Sequence, residues 1–224
     1  MTFAAPWGKS DREFGVRHHL AHHCADVAAT FLVMTHLPAI RSRMEKAAGR
    51  ALTRVEIDRL GVLVFLHDIG KLFPSFQAKA WPSGSWNGEL SGHVLEAIDV
   101  LVRLDERSVA AALHVHRVQQ WQNETGLFDA VLAHHGRPAV DAGDRRAQMR
   151  ARWRTVGKYD PTQSAIEIGQ VMSSWFATAF SETDRQLPST AEFEHLFAGL
   201  TALADWIGSS RPIASYATEL NCTF

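Results

Sequence analysis

Cysteine is scarce in this 224-residue chain: Cys24 and Cys222 lie far apart and form no C-x-x-C pair. That argues against a zinc ribbon or a disulfide framework and suits a reducing cytoplasm. No stretch approaches the ~20 apolar residues that a bilayer-spanning helix needs, so no membrane partner is expected. Met1 to Ser10 lacks a basic start followed by an apolar core, which argues against a secretory signal. Net charge is also small, formally −1, so attraction of the whole molecule to a polyanion is excluded and any such binding needs a local patch. Alternating Val/Ile/Thr runs are nearly absent, and there is neither an internal repeat nor a low-complexity tract. Strands therefore have little to be built from.

What the chain does have is helical periodicity. Its 46% hydrophobic and 21% charged residues give an ordinary globular balance, enough for one large domain over residues 1–224. Ser10 with Glu13, Thr53 with Glu56, and Ser189 with Glu192 have capping-box spacing. The pattern predicts helices over 18–36, 38–49, 54–68, 91–103, 106–117, 125–135, 162–181 and 190–208. Pro82 to Gly92 and Pro138 to Gly143 read as surface loops. The expected fold class is all-α.

The second abundance is histidine, with 12 residues. His67-Asp68 closes the apolar run Gly61 to Leu66 and precedes Gly70 and Lys71. Imidazole offers a metal one neutral nitrogen, and a carboxylate can bridge two cations. The plain structural alternative is a helix ending in polar residues, with Gly70 as its C-terminal stop. On a helix of about 100° per residue, Leu20, Cys24, Val27 and Phe31 share one stripe and His23 lies at its edge. His23 is thus the candidate that faces inward, with Asp26 three residues on and able to orient its ring. His18, His19 and His22 are expected at the surface. His93 opens an amphipathic helix after Ser91-Gly92, a better position than those of His114 and His116. His134-His135 at a helix end can both face one pocket, and a metal would satisfy two imidazoles that are costly to bury alone. Asp205 interrupts the apolar helix of Leu196, Phe197, Leu200, Leu203 and Ile207, where an unpaired carboxylate is expensive.

Two basic stretches remain. Arg41, Arg43, Lys46, Arg50 and Arg54 fit a solvated helix face. Arg145, Arg146, Arg150, Arg152, Arg154 and Lys158, with Trp153 among them, combine phosphate-binding cations with a stacking ring, as a single-strand groove does. A plain solvated segment is the alternative. Lys71 has three readings: a phosphate contact, a support for Asp68, or a cation near a helix end.

In order along the chain, His23-x-x-Asp26-Val27, His67-Asp68-Ile69-Gly70-Lys71, His93, His134-His135-Gly136 and Ala204-Asp205-Trp206-Ile207-Gly208-Ser209 resemble the HD superfamily of metal-dependent phosphohydrolases. With Trp7-Gly8-Lys9-Ser10, the chain more narrowly resembles the HD nuclease domain of the CRISPR type I helicase–nuclease, over about residues 5–210. The resemblance implies that His23, His67, Asp68 and Asp205 hold one metal. It implies that Asp68 bridges to a second held by His93, His134 and His135, with Lys71 near the scissile phosphate. It further implies a nuclease acting on single-stranded DNA, served by a helicase domain or subunit and a CRISPR surveillance complex. No G-x-x-x-x-G-K-[ST] loop occurs, so no helicase domain and no ATP site are expected in this chain. A histidine-rich, carboxylate-bridged pair of sites suits Mn, Fe, Co or Ni better than Mg. Two other expectations stay open: an HD phosphohydrolase of nucleotides or cyclic dinucleotides, and a catalytically silent HD docking module.

Overall fold

In a computed structural model, residues 4–11, 16–103, 106–122, 126–136, 151–181 and 185–210 are described. Helix α1 (Leu20–Thr35) buries the stripe Leu20, Cys24, Val27 and Phe31 seen in its sequence. Helix α2 (Pro38–Ala48) starts on a proline, whose fixed φ suits a first turn, and stops at Gly49, φ 68°. Helix α3 (Arg54–Phe65) begins with the expected capping box: Thr53 accepts from the Glu56 amide, and Glu56 accepts from the Thr53 amide. Replacing Thr53 by alanine should cost about 1 kcal/mol, read as a lower denaturation midpoint with an unchanged slope.

Beyond α3 the chain tightens into a 3-10 segment, Leu66–Leu72, followed by α4 (Pro74–Gln77) and the loop to α5 (Val94–Ile98). A π turn at Asp99–Arg103, α6 (Arg107–Ala112), α7 (Val115–Gln120) and α8 (Gly126–Leu132) come next. The described residues end in α9 (Pro161–Trp175), a 3-10 turn at Ala177–Phe180 and α10 (Ala191–Gly208). The expected helix over 106–117 is broken at His114, which has φ 50° and is held by Ser173. The last helix is capped by Thr190 rather than Ser189.

Helix α3 is the central element, covered by α1 on one side and by the Ala177–Phe180 turn on another. Helix α10 lies across α1 and also packs on α8 and α2. Edge-to-face contact of Phe31 with Phe197, 5.5 Å between centroids, marks the α1–α10 seam. The fold is all-α, with one short ribbon among the described residues.

That ribbon, β1 (Trp7–Asp11) and β2 (Val16–His19), is antiparallel with Trp7 opposite His19 and an irregularity between Trp7 and Lys9. It corrects the reading of Ser10 as a helix cap, since Ser10 lies in β1. So short a ribbon carries no period-two pattern, and tertiary bonds hold it. The Trp7 amide donates to Gln77 Oε1 at 2.9 Å, its indole donates to the Gln77 carbonyl at 3.1 Å, and Gln77 Nε2 donates back to the Trp7 carbonyl at 3.0 Å.

Candidate metal centre

The His67-Asp68 doublet sits on the 3-10 segment, and the change of helical pitch determines what it meets. With about three residues per turn, positions i and i+3 eclipse. Leu66, Ile69 and Leu72 then form one buried stripe, while Asp68 and Lys71 share another. Lys71 Nζ lies 2.5 Å from Asp68 Oδ2 and donates to the Gly8 carbonyl at 2.7 Å. Of its three readings, support for Asp68 is the one its contacts match.

Side chains from α1, α5, the end of α8 and α10 converge on this doublet. His23 Nε2 is 2.7 Å from Asp68 Oδ2, and His67 Nε2 is 3.2 Å from the same oxygen. Asp205 Oδ1 lies 3.8 Å from both imidazoles and accepts from Ser209 Oγ at 2.9 Å. On the other carboxylate oxygen, Asp68 Oδ1, His93 Nε2 lies at 3.1 Å and His134 Nε2 at 3.8 Å. His135 Nε2 is 2.9 Å from His93 Nε2. Two groups result, His23/His67/Asp68 and His93/His134/His135, each with its donor atoms within 4.8 Å of one another.

Tautomer is decided by the second ring nitrogen. His67 Nδ1 donates to the Val64 carbonyl and His134 Nδ1 to the Val131 carbonyl, both at 2.8 Å. Nε2 of each ring therefore points toward Asp68, as a lone pair on neutral His134 and, below about pH 9 without metal, as an N–H on His67. His67 Nε2, His134 Nε2 and Asp68 Oδ1 are buried and make no hydrogen bond. His134 Nε2 and Asp68 Oδ1, 3.8 Å apart, are acceptors facing each other in a buried space, which is costly, and a cation between them removes the cost. This donor set fits divalent metal.

Electrostatics separates the two groups. Burial pushes His93 down to about 4 and His134 to about 3. It lowers His23 as well, against the pull of Asp68. Burial opposes a charge on His67 too, yet the Asp68 and Asp205 carboxylates outweigh it and hold that imidazole up at about 9. Asp68 is driven up by burial but held well below the usual carboxylate range by Lys71 and His67. Between pH 6.5 and 9 the metal-free fold thus keeps one extra proton, on His67.

A bound divalent cation must displace that proton. Apparent affinity of the His67 group for Ni2+ should therefore rise about tenfold per pH unit up to about pH 9, with roughly one proton released when that group is filled and none from His93 or His134. Calorimetry in buffers of different ionisation enthalpy measures it; affinity independent of pH between 7 and 9 would contradict the assignment. For the metal-free protein, the His67 contribution to stability is full below pH 6.5 and fades toward pH 9. The His93 and His134 contributions are full above pH 6.5 and fade as acid approaches pH 4 and 3.

Some sequence expectations change. Asp26 does not orient His23; its carboxylate pairs with His18 Nε2 at 2.9 Å. His18, His19 and His22 are half-buried rather than at the surface, because β2 folds back over the start of α1. Arg145, Arg146 and Arg150 lie outside the described residues. Arg152 donates to Glu96 at 2.7 Å and Ser75 at 3.0 Å, and Trp153 is buried with its indole bonded to Thr162, so neither is a free surface contact. Arg154 and Lys158 are exposed. Gly8 has a role that its motif alone does not show: its carbonyl holds Lys71, and a Cβ there would meet the His23 Cβ at 2.8 Å.

Residues 7–214 match the family model described as "Cas3, HD domain". No curated protein matches the chain. T. fusca Cas3 in its ATP form is 19% identical at a TM-score of 0.61, over 99% of this chain and 24% of that one. The Thermus thermophilus cas3 HD domain, solved in the presence of Ni2+, is 22% identical at a TM-score of 0.53, over 92% of this chain and 76% of that one. A chain of a CRISPR RNA-guided surveillance complex, pre-nicking, is 18% identical at a TM-score of 0.59, over 99% and 26%. At these identities the structural likeness is one of fold, and the chain spans 24% of the length of T. fusca Cas3.

Proposed function

Given that the chain belongs to the Cas3 HD-domain family, we propose that it is a metal-dependent phosphodiesterase that cuts single-stranded DNA in CRISPR interference. The observation that carries the reading is the set of buried, unpaired acceptors around Asp68. His23, His67, Asp68 and Asp205 would hold one cation. Asp68, His93, His134 and His135 would hold another. Bound there, a pair of cations would supply Lewis-acid activation of water and neutralise charge on the scissile phosphate. The chain's own part is to fix the donors. Val64 and Val131 carbonyls hold His67 and His134 with Nε2 inward. Lys71 positions Asp68 and offsets its charge. The imidazole-rich set favours Mn, Fe, Co or Ni over Mg, and a relative of the same fold was crystallised with Ni2+.

A groove of about 860 Å3 reaches His93 from the side of Arg152 and Arg154. It is open to solvent rather than enclosed, which favours a strand over a nucleotide or cyclic dinucleotide held in a closed pocket. A helicase domain or subunit would deliver that strand, and a surveillance complex would expose it. Incubating the protein with circular single-stranded DNA and Mn2+, Co2+ or Ni2+ tests the reading. The wild type should linearise and degrade circles while a His67→Ala/Asp68→Ala variant leaves them intact. Equal cutting by both proteins would discard the assignment, and hydrolysis of nucleotides but not of strands would favour the small-substrate alternative.

A further inference from the structure

Trp86 and Arg154 stand on the same groove that reaches His93. The indole is fixed from several sides. Its Nε1 donates to the Glu89 carbonyl at 3.3 Å, and Trp81 packs edge-on at 6.2 Å. Gly88 lies against the ring, where a Cβ would meet it at 2.8 Å. The Arg154 guanidinium is exposed and 5.9 Å from the indole centroid. Its neighbour Arg152 is committed to Glu96 and Ser75 and lies over the Phe73 ring at 5.3 Å, which makes it part of the wall. The wall therefore presents a half-exposed, braced aromatic ring with an exposed guanidinium 5.9 Å over it, next to an imidazole that is 3.1 Å from Asp68.

We propose that Trp86 and Arg154 form a subsite for one unpaired nucleotide of the substrate strand, with the base stacked on the indole and the adjoining phosphate on the guanidinium. The subsite rests on the nuclease reading and deepens it by explaining a preference for single strands. Base faces inside a duplex are covered by their neighbours, so only an unpaired base can reach Trp86. Stacking on an aromatic side chain is tolerant of base identity, so the subsite discriminates strandedness rather than sequence. The carboxylate of Glu89, on the same rim, disfavours a second phosphate there and helps set the direction of the backbone.

The test is binding without catalysis. The full chain in EDTA is titrated with a short labelled oligothymidine strand and with its duplex. Trp86→Ala should weaken strand binding about tenfold, and Trp86→Phe should stay within about threefold of wild type. Arg154→Ala should weaken binding and reduce the salt slope by about one. Unchanged melting temperature and unchanged Ni2+ titration of these variants locate the loss in the groove. Strand binding by Trp86→Ala equal to wild type, or wild-type binding that favours the duplex, would overturn the subsite. The two readings fail separately. Trp86-dependent binding by a protein that cuts no strand with any metal would keep the subsite and remove the nuclease. Cutting unaffected by Trp86→Ala, with unaffected binding, would do the reverse.

Discussion

Asp68→Ala should abolish divalent-metal binding in both groups of donors and lower phosphodiester hydrolysis by about 10^3-fold or more. The size of the effect follows from the position of this carboxylate. Its Oδ2 faces His23, His67 and Lys71, and its Oδ1 faces His93 and His134. Among the described residues, Asp205 is the carboxylate left beside the first group, 3.8 Å from His23 and His67. The same change leaves the buried Lys71 ammonium without its Asp68 partner and the His67 imidazole with Asp205 alone, a loss of about 3 kcal/mol or more. His135→Ala is the useful contrast. That side chain is exposed and belongs to one group only, so its loss should cost about 10–100-fold in metal affinity with little change in stability. Titration with Ni2+, hydrolysis of a strand and thermal melts separate the two variants. An Asp68→Ala protein that binds metal with wild-type stoichiometry would remove Asp68 as the shared ligand.

How far the sequence leads depends on whether a feature is local. The stripe Leu20, Cys24, Val27, Phe31 and the Thr53–Glu56 box are local, and both are present in the fold. The gathering of His23, His67, Asp68, His93, His134, His135 and Asp205 was legible only as a set of separately odd positions. Each imidazole has a bland explanation alone, and the motifs' order along the chain made the set. Pairings between side chains were not legible. Helix periodicity places Asp26 beside His23, yet β2 brings His18 to it first, and β2 has no sequence signal strong enough to show. The aromatic partner of the basic stretch was missed for the same reason. Trp153 is adjacent in sequence but buried, whereas Trp86 arrives through a loop distant in the chain. Its flag was present nonetheless: a tryptophan in a segment otherwise rich in Gly, Ser and Asn is large apolar surface left where packing does not need it.

Gly70→Ala should destabilise the fold by about 3 kcal/mol or more, lowering the melting temperature by about 10 °C, and should weaken metal binding at the His93 group before the His23 group. As a helix stop, Gly70 would sit at positive φ, and alanine would cost only the ~1–2 kcal/mol of a left-handed residue. The glycines at positive φ among the described residues are Gly49, Gly84, Gly136 and Gly157, not Gly70. Its role is proximity instead. A Cβ at position 70 would lie 1.9 Å from the His93 carbonyl oxygen and 2.4 Å from the Ala97 amide, the two ends of the 2.8 Å hydrogen bond that starts α5. Those atoms are backbone and cannot rotate away as a flexible side chain would. To restore an ordinary contact of 3.4 Å, α5 must recede from the 3-10 segment by about 1.5 Å, carrying His93 with it. His93 is now 3.1 Å from Asp68, and such a shift removes it from any shared coordination. Gly49→Ala is the control. Gly49 has φ 68° and open space around it, so its cost should stay near 1 kcal/mol with metal binding unchanged. Equal losses from the two substitutions would mean that Gly70 acts through backbone freedom, and that close approach of α5 is not what brings His93 to the metal centre.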